Sequence, residues 1–580
     1  MHFLDDHSAN SGVSLRWTAD LPVPVITRFA DFHLPSTTKY VLPRFPASFR
    51  ISGPMHISLP TVFNAASHFV DRHIPEGRGT KVAFECGEER VTYQQLLERV
   101  NRFGNALKKL GVRPEERIAL LLLDTPEFAY CFFGAIKTGV VPVPLNTLLK
   151  PAEYEYMLND SRARVALISE SLYPQVEAIP KANLRYLEKV VIVGNAPEEC
   201  YSLRQLLDES PPELSAERTC KDDAAFWLYS SGSTGFPKGC VHLQHDMVVC
   251  SELYAKAILG ITENDRFFSV AKMFFAYGLG NGLYFALSAG ATSILWPGSP
   301  APQNVYSVIE KFKPTLFFSV PSNYATLLGY HREQGPDFDL SSVRYGVSAG
   351  EALPAPIFHR FKERFGVEIL DAIGSTEALH MFIANRPGAV RPGSSGQIMP
   401  GYEARIVDEN GQPVPDGEIG NLMIKGDSVC ACYWNQHEKT KDTIQGHWLR
   451  TGDKYYRDAD GYYWYVGRSD DMMKVKGLWV SPIEVERILL EHPQVQEAAV
   501  IGFTDSNQLL KPAAYVVLKN GSAEQAVLTD ELKQLVSARL AAHKCPQVIE
   551  FVRELPKTAT GKIQRYKLRD LKSLTTDQHR

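Results

Sequence analysis

The periodicity of apolar positions divides the 580-residue chain near position 55. Before it no period holds, and six prolines (Pro22, Pro24, Pro35, Pro43, Pro46, Pro54) punctuate the segment. An extended arm on the surface and a disordered tail both suit such a stretch. Beyond it helical and strand spacings alternate. Thr92 is placed to cap a helix that runs to Leu110, where Gly111 stops it. Apolar runs predict strands over 117–123, 140–146, 165–169 and 190–194, with a helix over 126–139. Residues 195–222 are polar and read as loop, and 226–229 read as a buried strand. A helix is expected over 244–259, its N-terminus close to the loop that follows the buried strand, and a strand over 266–269. GQPVPDGEIG and DADGYYWYVG carry hairpin patterns. Helices over 482–490 and 529–543 then alternate with strands over 498–503 and 513–518. This order predicts an α/β fold, with a large domain of helix-covered, mostly parallel sheets and a small α+β domain at the C-terminal end. The expected division is 1–55 extension, 56–467 large domain, 468–471 hinge and 472–580 small domain.

Composition narrows the function. The chain is 44% hydrophobic with a net charge of −4, so it can bury sizeable cores, and nothing in that balance suggests nucleic acid or an anionic membrane as partner. No apolar run reaches the ~18 residues of a membrane span. Nine scattered cysteines, of which only Cys430 and Cys432 lie close together, suggest neither a zinc cage nor a disulfide framework. A reduced cytoplasmic compartment is expected. The first ten residues lack a secretory core and carry Asp5 and Asp6, and the final DQHR is no peroxisomal address.

The richest chemistry lies in FWLYSSGSTGFPKG, 226–239. A buried strand leads into Ser230, Ser231, Gly232, Ser233, Thr234, Gly235 and Lys238. Glycines turn backbone N–H groups toward an anion, hydroxyls add donors, and the lysine adds a full charge. Such a loop holds a polyphosphate. It is not a Walker A loop, because the residue five after Gly232 is Pro237.

YSSGSTGFPKG resembles the phosphate loop of adenylate-forming enzymes: acyl- and aryl-CoA synthetases, luciferases and peptide-synthetase adenylation domains. The resemblance spans about 59–571 and is strongest to benzoate–CoA ligases, through LPTVFNAASHFVDRH, GRGTKVAFECGEERVTY and FFAYGLGNGLYFALSAGAT. It implies a small barrel-like subdomain within the large domain, and ATP, Mg²⁺ and coenzyme A as reactants and cofactor. DAIGSTEAL then resembles the adenine and metal segment, with Asp371, Gly374, Ser375 and Thr376 at the nucleotide and Glu377 at Mg²⁺. SAGEALP, with Ala349, Gly350 and Glu351, resembles the strand end beneath adenine and acyl group. TGD, with Asp453, resembles the ribose clamp, and Arg468 would reach the ribose or a phosphate. Asp470 matches the hinge residue. Thr234 and Glu377 would join Lys562, in PKTATGKIQR, as catalytic residues. Lys476 and Gly477 would meet coenzyme A, Gly477 lining the pantetheine tunnel. Taken singly, Glu377 reads equally as a first-turn helix carboxylate, Asp453 and Gly477 as turn residues and Lys562 as a surface lysine.

The resemblance implies an acid held by Phe275, Ala276, Tyr277, Ala349, Gly374, His380 and Met381. Small residues would leave a flat slot and Tyr277 an aromatic wall, although aromatics at this density also suit plain core. No carboxylate in FFAYG is placed to hold an amino acid's ammonium, and the chain ends 18 residues after Lys562, so no carrier domain is expected. The expected reaction joins benzoate or a substituted benzoate to ATP, giving acyl-AMP and pyrophosphate, and then to coenzyme A. A medium-chain fatty acid or cinnamate-type ligase, or an adenylate former serving a carrier protein, are the alternatives. A small-molecule acid and coenzyme A are the expected partners, in a monomer or homodimer.

Overall fold

The computed structural model describes residues 57–230, 237–332, 335–469, 471–475, 478–504, 509–519, 525–557, 563–565 and 567–569. The proposed arm therefore lies outside the described residues.

Among these, a nine-stranded sheet runs in the spatial order Gln397–Ile398, Met381–Ala384, Ile369–Gly374, Tyr345–Ser348, Leu316–Ser319, Arg266–Ser269, Thr292–Ile294, Val82–Cys86, Glu89–Thr92. Its six middle strands are parallel, and antiparallel strands close both edges. A second, all-parallel sheet holds Val141–Pro144, Arg117–Leu121, Val165–Ser169, Lys189–Val193 and Tyr201–Ser202. Val141–Pro144 carries two prolines that cannot donate to a ladder, and it occupies the sheet edge. Helix Pro126–Lys137 is buried around nearly its whole circumference, as its almost unbroken apolar sequence requires. Helix Tyr93–Lys109 starts in a capping box: Thr92 Oγ1 accepts from Gln95 N, and Gln95 Oε1 accepts from Thr92 N. Glu403–Val407, Gly420–Lys425, Trp448–Arg457 and Tyr463–Arg468 build an antiparallel sheet with Ile444–Gln445. Beyond it comes a smaller α+β domain, in which helices Pro482–Leu489 and Gln525–Arg539 accompany strands Val495–Thr504, Leu510–Leu518 and Val548–Phe551. Mixed α/β architecture with parallel sheets and a smaller C-terminal domain agrees with the expected class.

Two local expectations fail. Residues 195–222 are not all loop, since Tyr201–Ser202 joins the second sheet and Leu203–Asp208 is a helix capped by Ser202. Leu203 and Leu206, three apart, give this six-residue helix its buried face. The expected helix over 244–259 is preceded by a strand, Lys238–Leu243, and begins only at Asp246. That strand pairs antiparallel with Ala224–Ser230, so it carries the chain about 20 Å away from the phosphate-loop residues. The helix N-terminus therefore lies at the far end of the hairpin and offers no dipole to that loop.

Candidate active site

We label the hairpin strands β1 (Ala224–Ser230) and β2 (Lys238–Leu243), and the segment that meets them β3 (Ile369–Gly374) and β4 (Met381–Ala384). Ser231, Gly232, Ser233, Thr234 and Gly235 lie outside the described residues, but both stems of their loop are described. Ser230 and Lys238 stand opposite each other in the β1–β2 ladder. Ser230 donates its hydroxyl to Glu377 Oε1 at 3.1 Å, and Tyr433 donates to the same oxygen at 2.7 Å. Lys238 Nζ lies 4.5 Å from the centre of the Tyr433 ring, a cation–π distance. Burial depresses the Lys238 pKa; the Glu377 charge opposes that shift, and Lys439 and Arg468 add to it. Sequence spacing thus brought Ser230, Lys238 and Glu377 to one place. Tyr433 was not foreseen: it sits in Cys432–Tyr433, a two-residue strand on the edge of β2, too short to give a periodic signal.

β3 and β4 form a tight antiparallel hairpin. A Cβ on Gly374 would lie 2.4 Å from the His380 carbonyl oxygen. The close approach that glycine permits here is that of the chain's own backbone. Leu379, fully buried, turns the chain at φ 63°, a left-handed conformation that costs a non-glycine residue on the order of 1–3 kcal/mol. The connecting carbonyls are held from outside the hairpin: Thr376 O by His242 Nε2 at 2.8 Å, Glu377 O by Cys430 N at 2.7 Å, and Ala378 O by Ser428 Oγ at 2.7 Å. Asp371 is 3% exposed and lies beneath the site, where its Oδ2 accepts from Leu353 N at 3.2 Å. Burial raises its pKa from 3.8 to about 7, against the opposing bond from Leu353. It braces the turn holding Gly350, at φ 90°, and Glu351.

At the acyl end, the Tyr277 hydroxyl lies 3.1 Å from the carbonyl oxygens of both Ser319 and Val347, spanning the ends of two adjacent parallel strands. Ala349 follows immediately on the second strand. His380 is enclosed by aromatic rings, with centroids 4.5 Å from Phe285, 5.3 Å from Tyr254 and 5.8 Å from Tyr277. Burial lowers its pKa to about 3, so the ring is neutral at working pH. Met381 pairs with Gly374 in the β3–β4 ladder and is 2% exposed. Tyr277, Gly374, His380 and Met381 therefore meet. Ala276 starts a short helix, and Phe275 packs on Phe274 at 4.3 Å.

Asp453 and Arg468 stand opposite each other on Trp448–Arg457 and Tyr463–Arg468. Arg468 Nη1 donates to Asp453 Oδ1 at 3.1 Å and to Thr451 O at 3.0 Å. Gly452, at φ 77°, leaves room for the guanidinium, since a Cβ there would lie 2.8 Å from it. Lys562, Asp470, Lys476 and Gly477 lie outside the described residues. Next to Lys562, Ile563 donates its backbone N–H to Glu351 Oε1 at 3.1 Å. Arg565 forks onto Glu486 with two bonds of 2.8 Å, and Arg569 pairs with Asp471, the residue after Asp470. Arg487 donates to Gly393 O at 3.0 Å across the boundary between the large and small domains.

Comparison with known proteins gives the arrangement its context. The family model described as AMP-binding enzyme matches residues 71–434, and that described as AMP-binding enzyme C-terminal domain matches 484–562. A benzoate–CoA ligase of Thauera aromatica is 48% identical over 518 residues, 89% of this chain and 97% of that protein. A crystal structure of an anthranilate CoA ligase in complex with anthranoyl-AMP superposes with a TM-score of 0.86 at 45% identity, covering 90% of this chain and 99% of that one. That of a benzoate CoA ligase from Burkholderia xenovorans gives 0.81 at 47%, covering 88% and 100%.

Proposed function

Because the chain belongs to the AMP-binding enzyme family, and within it to the aryl-CoA ligases, we propose that the residues gathered around Glu377 divide its reaction into two steps at one site. It is an AMP-forming acid–thiol ligase. An aromatic carboxylate attacks the α-phosphorus of ATP, pyrophosphate leaves, and the thiol of coenzyme A then displaces AMP from the acyl-adenylate. Benzoate or a substituted benzoate is the substrate class.

The obstacle in the first step is charge, since an anion must approach a polyanion. Lys238, Arg468 and Lys562 supply cations around the phosphates, and the 230–235 loop supplies N–H and hydroxyl donors. Thr376 gives its hydroxyl to the α-phosphate, and Asp453 accepts from the ribose hydroxyls. The observation that carries this reading is the meeting of Ser230 and Tyr433 on Glu377 Oε1, with Lys238 over the Tyr433 ring, which joins the phosphate-loop hairpin to the DAIGSTEAL segment. Hydroxyl and carboxylate oxygens are donors that suit Mg²⁺. Among the described residues no group of three or more His, Cys, Asp or Glu side chains could hold a metal. Glu377 would hold Mg²⁺ as a single carboxylate beside substrate phosphates, and the ion would neutralise phosphate charge when bound. Tyr277 and His380 wall the aryl ring, Phe275, Ala276, Ala349 and Met381 completing the slot. Contact of Ile563 with Glu351 supports an arrangement in which Lys562 serves adenylation. Rotation about Asp470 then withdraws it and brings Lys476 and Gly477 to coenzyme A.

Pyrophosphate release measured over benzoates, hydroxy- and aminobenzoates, cinnamates and C6–C12 alkanoates tests the substrate class. Turnover of the aryl acids is expected; turnover of alkanoates alone would refute the aryl pocket.

A further inference from the structure

His242 sits inside the molecule, fully buried, one residue before the end of β2. Its Nδ1 lies 2.7 Å from Asp246 Oδ2 and its Nε2 lies 2.8 Å from the Thr376 carbonyl oxygen. Each ring nitrogen therefore faces an oxygen, and the carbonyl of Thr376 can only accept from Nε2. The Asp246 carboxyl is itself fully buried, and its Oδ2 also accepts from Leu243 N at 3.1 Å. The Phe226 ring stacks on the imidazole at 5.3 Å, with 22° between their planes. This leaves the imidazole little freedom to turn. Asp246, His242 and Thr376 thus form a rigid line from the phosphate-loop hairpin to the peptide that immediately precedes Glu377.

From this we infer that His242, oriented by Asp246, is a positioning residue for adenylation: it fixes the Thr376–Glu377 peptide so that the Thr376 hydroxyl and the Glu377 carboxylate face a magnesium–nucleotide. The inference rests on the proposed roles of Thr376 and Glu377. The left-handed Leu379, three residues on, makes this a costly turn, and its N–H is the second donor to Thr376 O, at 3.2 Å. Partners that orient ligating carboxylates typically change metal affinity or activity 10–100-fold when removed.

Two single substitutions separate the two bonds. In His242→Gln the amide nitrogen takes the place of Nε2 and still donates to Thr376. In His242→Asn it takes the place of Nδ1, keeping the Asp246 bond and leaving the Thr376 carbonyl without its side-chain donor. We expect His242→Asn to lose about 10–100-fold both in adenylation and in calorimetric affinity for magnesium with a non-hydrolysable ATP analogue. It should keep its rate of thioester formation from supplied benzoyl-AMP, and His242→Gln should stay within a few-fold of the parent in every assay. The paired replacement His242→Leu/Asp246→Leu, which buries no unpaired charge, should repeat the His242→Asn profile. Equal behaviour of the Asn and Gln variants, or parallel loss of both half-reactions, would overturn the inference. Glu377→Gln is the control for the underlying reading. If it leaves magnesium–nucleotide affinity unchanged, the assignment of Glu377 fails; if only the His242 variants are without effect, the positioning role alone falls.

Discussion

Two hydroxyls converging on one carboxylate oxygen fix where Glu377 points. Tyr433→Phe removes the shorter bond while keeping the ring beneath Lys238. A hydrogen bond to a charged group contributes on the order of 1.5–3 kcal/mol. The expected result is therefore a roughly 10–100-fold fall in the rate of ATP–pyrophosphate exchange with little change in melting temperature; an unchanged rate would mean that Ser230 alone orients the carboxylate. Asp371 makes a different kind of prediction. Folding raises its pKa from 3.8 to about 7. The native state therefore holds a proton that the unfolded chain has released, and stability falls as pH rises between about 4 and 7. In Asp371→Asn the acceptor for Leu353 N remains and the titration is gone. Thermal unfolding at pH 5 and pH 8 should show the variant gaining on the parent at the higher pH, and a constant difference would refute the linkage.

Among the elements, the β3–β4 hairpin is the least tolerant. Gly374→Ala would place a methyl 2.4 Å from the His380 carbonyl oxygen, backbone that cannot step aside without opening the hairpin. Overpacking of this kind costs about 1–3 kcal/mol; a lower midpoint in urea together with weaker magnesium–nucleotide binding is expected, and full retention of both would show that the hairpin yields. The helices, parallel strands and hairpins that carry long apolar periods were legible in the sequence, as the Thr92 cap shows. β2 was not, because Lys238 and Gly239 belong to the phosphate motif and leave Cys240, Val241, His242 and Leu243 too short a run to read as a strand. The same eclipse hid the His242–Asp246 pair, whose spacing looks helical but whose histidine lies on β2 and whose aspartate begins the next helix. At the site, motif spacing singled out Ser230, Glu377, Asp453 and Arg468, which the fold pairs as Ser230 with Glu377 and Asp453 with Arg468. Tyr433, Cys430 and Ser428 were not, because they act through tertiary pairing from a stretch without a period.

For the molecule as a whole, the prediction concerns two active arrangements. Lys562→Ala should lose at least ~10²-fold in adenylation and still convert supplied benzoyl-AMP and coenzyme A at close to the parent rate. Equal loss in both steps would refute its assignment to the first. Arg487 reaches across to Gly393 O, so cysteines at 487 and at neighbouring Pro392 offer a place to bridge the two domains with a short bifunctional reagent. The bridged protein should make benzoyl-AMP but stall before thioester, while each singly substituted protein treated alike completes both; full turnover of the bridged form would rule out a required domain rotation. Docking of the tail on Glu351 uses the main chain of Ile563 rather than its side chain. Any residue but proline can make that bond. A tail grafted from a distant homologue would therefore keep this one bond whatever residue it brings to position 563, proline excepted, while the partners of Arg565 and Arg569 would still have to match.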